Sequence, residues 1–125
     1  MMDITNIGKV IYTQCNSTVA CYPMRAPQKT VTPYLVYNIL RVQPDNIKGS
    51  VAPVDVGTVL IDIFSDTYAI CAAKAILIRT ALDNQHGSFG GVTVNRIRYI
   101  TEQDNWDEGL KIFSKTIEFE FRINN

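Results

Sequence analysis

The residues able to do chemistry are few and scattered. A nucleophile–base pair needs a thiol or hydroxyl beside a histidine, with a third group orienting the base. The single histidine, His86, lies among Asn84, Gln85, Gly87 and Ser88, with no acid or nucleophile at a telling spacing. Cys71 falls on the apolar stripe of a helical pattern, where a thiol is buried and inert. The segment EQDNWDEG gathers Glu102, Asp104, Asp107 and Glu108. It resembles a calcium loop in composition only, because the alternating ligand positions and the closing glutamate twelve residues along are missing. Gly87, Gly90 and Gly91 lead into a strand pattern instead of a helix start, so they do not cradle a phosphate. No catalytic, metal-binding or cofactor-binding residue is assigned, and no cofactor is expected.

The elements that would position such groups are clearer. Gly57–Phe64 reads as a strand with Val59, Ile61 and Ile63 on one face and Leu60, Asp62 and Phe64 on the other. After the four-residue polar break Ser65, Asp66, Thr67, Tyr68, a helix is expected to about Leu82, with Cys71, Ala75, Ile78 and Leu82 on one stripe. An N-terminal helix is expected over 3–16, its apolar face formed by Ile4, Ile7, Val10 and Ile11. Gly8 weakens that helix by roughly 1 kcal/mol relative to alanine, so packing must hold it.

An extended piece is expected over 18–24 and a strand over 32–42, with Pro33 at its start where a missing donor is tolerated. Residues 43–56, rich in Pro, Gly, Asn and Asp, read as a long loop that either touches a partner or forms a mobile tip. Residues 83–91 (DNQHGSFGG) read as a break in both helix and strand. Val92–Thr101 is a strand whose apolar phase shifts, which a bulge near Asn95 or Arg96 reconciles. Residues 102–111 read as a polar hairpin tip. Ile112–Ile123 closes the chain with Phe113, Ile117, Phe119, Phe121 and Ile123 inward, Lys115 being the exception. The expected fold is α+β: a single domain over residues 1–125, with a mainly antiparallel four- to five-stranded sheet and a central helix and short N-terminal helix packed on one face.

Composition narrows the function classes. The 125 residues hold 12 Lys plus Arg and 12 Asp plus Glu, so net charge is zero and no basic excess favours gripping phosphates. A net charge near zero also does little to oppose self-association. The three cysteines, Cys15, Cys21 and Cys71, are odd in number and lack zinc-knuckle spacing, so buried reduced thiols are expected. The start, MMDITNIGKV, has no basic region followed by an apolar core, so no signal peptide is expected and the chain is placed in cytoplasm, with no membrane partner. The single tryptophan, Trp106, stands in the acidic segment, where it either anchors an interface or folds back on its own hairpin.

Several stretches are similar to a family of bacteriophage proteins. They are Tyr22-Pro23, Ala26-Pro27, TPYLVYNI (32–39), DIFSDTYAICAAKAILIRTALD (62–83), and the acidic turn with Gly109 before an alternating strand. The chain resembles the tail-completion, or head-to-tail joining, proteins of long-tailed phages and prophages, over roughly residues 18–123. The resemblance implies a virion structural protein without catalysis. It implies a homo-oligomeric ring, hexameric in the virion and not necessarily persistent in solution, that caps the tail tube. The implied partners are the tail tube protein and the head connector or head completion protein, with no specific nucleic-acid sequence recognised. Assembly would take place in host cytoplasm and the mature protein would sit at the head–tail junction. Candidate subunit or partner contacts are Ile47, Lys48, Val51, Val54, Trp106 and Leu110. Asp104, Asp107 and Glu108 are candidates to face the channel, where carboxylates would repel passing phosphates. The alternative is a small cytoplasmic adaptor domain of the same fold.

Overall fold

The computed structural model describes residues 4–24, 26, 31–45 and 54–124. Two helices, α1 (Ile4–Cys15) and α2 (Tyr68–Leu82), accompany six strands: β1 (Ala20–Pro23), β2 (Tyr34–Asp45), β3 (Val54–Ser65), β4 (Gly87–Phe89), β5 (Val92–Asp107) and β6 (Ile112–Asn124). The strands form one sheet in the order β1-β2-β3-β6-β5-β4. Every neighbouring pair is antiparallel except β1–β2, which is parallel.

The sheet corrects the expected four to five strands in two places. The glycine-rich stretch holds β4, which pairs with the first residues of β5 through Gly87↔Val94 and Phe89↔Val92. The 18–24 piece joins β2 in parallel, so the sheet is mixed. Two loops are also shorter than expected. β2 runs on to Asp45 and β3 starts at Val54. β5 continues through Asp107, leaving residues 108–111 as the turn. The polar run Glu102–Asp107 stays extended because its backbone pairs with β6 from Glu102↔Ile117 to Asp107↔Ile112. The expected bulge is present, a register shift between Val94 and Arg96, and a second lies between Tyr99 and Thr101. A third, between Ile39 and Arg41, bends β2. Such bulges increase local twist and curl the sheet.

Both helices cover one face. Ile7, Val10, Ile11 and Cys15 of α1 and Cys71, Ala75, Ile78 and Leu82 of α2 meet Leu35, Val59, Ile61, Ile63, Ile97, Ile117, Phe119 and Phe121 of the sheet in one buried cluster. Each large side chain taken wholly from water there contributes roughly 1.5–3 kcal/mol. Helix α2 is fixed to the sheet along its length. Its start follows Ser65, whose buried hydroxyl accepts from the Thr67 N–H at 3.2 Å. The Cys71 thiol donates to the Ile63 carbonyl at 3.3 Å. The helix stops at Asp83, followed by Asn84 in the left-handed region at φ 60°. Helix α1 is tied to α2 by Gln14 Nε2 donating to the Ala81 carbonyl at 3.1 Å.

Candidate functional site

The groups that could do chemistry are kept apart or used up internally. Cys71 is buried on the sheet-facing stripe of α2 while His86 lies exposed in the loop before β4. All three cysteines are free and buried. Burial pushes the Cys21 thiol up to about 11 and raises those of Cys15 and Cys71 as well, which disfavours the thiolate that nucleophilic chemistry requires. Among the described residues, no three His, Cys, Asp or Glu side chains gather where a metal ion could sit. No helix among them is long and apolar enough to cross a membrane.

The acidic residues of the β5–β6 hairpin are engaged by groups of this same chain. Lys115, itself largely buried, lies between two carboxylates, 2.7 Å from Asp104 Oδ1 and 3.4 Å from Glu102 Oε2. The Tyr68 hydroxyl at the start of α2 also donates to Asp104, at 2.9 Å. The Lys115 hydrogen bond and then the Tyr68 hydroxyl hold the Asp104 carboxyl below its ordinary range, and Asp104 in turn raises Lys115. Asp107 Oδ1 accepts from the Leu110 N–H at 3.0 Å and closes the turn. Glu108 Oε2 accepts from the Trp106 indole N–H at 2.6 Å. Trp106 packs tilted on Phe113 at 4.4 Å, and Phe113 meets Tyr68 edge-on at 5.6 Å. Trp106 therefore folds back on its own hairpin while remaining 46% exposed, and Leu110 at the turn is 76% exposed. Of the other sequence-derived contact residues, Ile47, Lys48, Val51 and the side chain of Val54 lie outside the described residues.

A further outward-facing apolar feature among the described residues lies outside the sequence-derived candidates. The solvent side of α2 carries Ala69, Ile70, Ala73, Ile76 and Leu77, with Ile76 66%, Leu77 49% and Ile70 42% exposed. Thr80, at the end of this face, turns its hydroxyl onto the Ile76 carbonyl at 2.9 Å. The charged residues of α2 lean away from the face. Lys74 donates to the Thr18 carbonyl at 3.1 Å, and the Arg79 guanidinium lies over the Tyr99 ring at 3.7 Å. The signal was available in the sequence, since YAICAAKAILIRTAL carries apolar residues opposite its buried stripe as well as on it, with charge only at Lys74 and Arg79. A groove of about 480 Å³ runs beside it, lined by Ile76, Arg79, Asp83, Glu102 and Lys115 among others. A second hollow, of about 520 Å³, lies between α1, Pro23, Tyr37 and Gly90.

A small α+β domain whose polar groups serve its own architecture, and whose outside keeps an apolar helix face, has the features of an assembly module. The family described as tail completion protein gp17 matches residues 13–124, and the chain belongs to it. No curated protein sequence matches. Among solved structures, the fold is similar to that of a chain in the virion of a native gene transfer agent (GTA) particle. That match has a TM-score of 0.71 at 12% identity, covering 98% of this chain and 100% of the other. A second solved structure is similar with a TM-score of 0.65 at 11% identity, covering 98% and 96%. At such identities the likeness is one of fold.

Proposed function

We propose that this chain is a structural component of the phage virion that works by assembly and catalyses no reaction. Copies close into a ring of six that caps the tail tube, meets the head connector and leaves a central passage for the genome. Membership of the tail completion family supports the location, and the likeness to a gene transfer agent virion chain agrees with a fold used inside such particles. The observation that carries the reading is the charge-free outer face of α2, which an isolated monomer leaves in water. The accessible surface of 7362 Å² leaves room for two neighbours at about 800 Å² each. Asp104, Asp107 and Glu108, engaged within the hairpin and, for Asp104, also by Tyr68 of α2, are proposed as stiffeners of that arm in preference to channel lining.

The test pairs wild type with Ile76→Lys/Leu77→Lys in cells assembling the phage. Wild type is expected at the end of purified tails as a ring visible by electron microscopy. The variant, folded by circular dichroism, is expected to be missing from tails. Equal incorporation of both, or tails that never contain the wild type, would end the reading.

A further inference from the structure

We infer that the apex of the β5–β6 hairpin of one copy seats in the hollow beside α1 of the next, so that the ring closes through a repeated knob-in-hollow contact. This rests on the ring reading above and names the second surface that reading requires.

The knob is ready-made. Leu110 projects from a turn closed by Asp107, with Lys111 in the left-handed region at φ 51°. The indole of Trp106 is pinned beneath it by Phe113 and Glu108. A side chain already fixed in this way loses little freedom on docking. The hollow is apolar and close in scale to such an apex. Tyr12, Pro23 and Tyr37 line it, and its volume is about 520 Å³. Gly8 and Gly90 line it as well. A Cβ at Gly90 would come within 2.9 Å of Thr13 Oγ1, and one at Gly8 within 2.6 Å of the Tyr37 hydroxyl, so the walls stand as close as the backbone permits.

Charge favours the same match. Asp107 and Glu108 precede Leu110 and Lys111 follows it, which leaves the apex with one net negative charge, whereas Lys9 on the hollow is exposed and has no ion-pair partner among the described residues. Opposite charges at the rim of a contact steer it and fix its register. Position then decides who fills whom. Gly90 precedes β5 and the turn follows it, so the hollow and the apex are separated by a 16-residue strand, about 50 Å when extended. A chain cannot reach its own hollow. Two different patches at opposite ends of one subunit are what a head-to-tail ring needs.

Cysteine cross-linking tests this directly, because the three native thiols are buried and stay silent in folded protein. Thr13→Cys lines the hollow and Leu110→Cys marks the apex. The double variant is treated with a short bis-maleimide, in concentrated solution and on isolated tails, while mass photometry and electron microscopy follow assembly. The expected result is a covalent ladder rising to the full ring, with each single variant at least about tenfold less cross-linked. Rings without a ladder, a ladder equally strong in a single variant, or Leu110→Cys captured by a different virion protein would each overturn the contact and leave the ring standing. Absence of any oligomer, both in solution and on tails, would overturn both.

Discussion

Helices α1 and α2 lie on the same face of one sheet and bury matching stripes, yet their outer surfaces differ. Facing the sheet, α1 offers Ile7, Val10, Ile11 and Cys15, and α2 offers Cys71, Ala75, Ile78 and Leu82. Facing water, α1 shows Lys9, Tyr12 and Thr13, whereas α2 shows Ala69, Ile70, Ala73, Ile76 and Leu77. The inner stripes specify the fold in both cases. An outer stripe with no charge specifies nothing within the monomer, and in a free domain it invites aggregation. On the proposed reading, the difference separates sequence that serves folding from sequence that serves assembly.

The sharpest test of that separation lies within α2 itself. Ile78→Ala removes a fully buried side chain and is expected to cost about 2–5 kcal/mol, read by denaturant unfolding. Ile76→Lys/Leu77→Lys changes two side chains on the opposite face and is expected to shift stability by no more than about 0.5 kcal/mol per site. If the lysine pair destabilised as much as the alanine, the outer face would belong to the fold and the contrast with α1 would fail.

The hairpin arm extends the comparison, since it lies beyond the core and is held by polar contacts. Lys115→Met removes the cation shared by Glu102 and Asp104 and is expected to cost about 1 kcal/mol. The pH dependence follows from the two shifts. The depressed Asp104 contributes above its unfolded value and that contribution is lost as pH falls through its lower folded value, under about 4. The raised Lys115 contributes below its unfolded value, about 10.4, and that contribution is lost as pH climbs through its higher folded value. Trp106 is the sole tryptophan, so its fluorescence reports the arm alone. Its emission is expected to hold steady from about pH 5 to 9 and shift to the red at both extremes. In Lys115→Met the same shift is expected at neutral pH, with helix content by circular dichroism unchanged. Asp107→Ala is expected to act more weakly, at about 0.5–1 kcal/mol, because it removes one exposed turn contact.

What the sequence made legible follows the same line between local and non-local causes. The bounds of α2 are legible to within a residue, because the polar break after Phe64, the three-and-four spacing and the stop at Asp83–Asn84 all lie within one segment, although Tyr68 reads as part of the break and is the first residue of the helix. β6 is legible because strict alternation continues to Ile123. β4 is not, since three residues after a glycine become a strand only because the start of β5 is beside them. The outer half of β5 reads as a polar tip because Glu102, Asp104 and Trp106 find their partners across the strand, in Lys115 and Phe113. The parallel β1–β2 pairing likewise depends on where the chain returns, which no local pattern encodes. The outer face of α2 is legible in principle, because apolar residues lie opposite its buried stripe and its two charges, Lys74 and Arg79, lie outside that face.

Gly8 refines the contrast from the α1 side, with the smallest effect. By propensity alone, alanine at this position would stabilise the helix by roughly 1 kcal/mol. The close approach of Tyr37 opposes that gain, because an added Cβ would lie 2.6 Å from its hydroxyl but 3.4 Å from the ring carbon that bears it. The obstruction is thus one oxygen at the end of a movable side chain. Gly8→Ala alone is expected to be neutral or slightly destabilising, while Gly8→Ala on a Tyr37→Phe background is expected to gain about 0.5–1 kcal/mol relative to Tyr37→Phe. A double-mutant cycle by urea unfolding reads the coupling. Additive effects would show that the helix does not need its glycine for this contact, and that the crowding beside the α1 hollow comes from elsewhere in the wall.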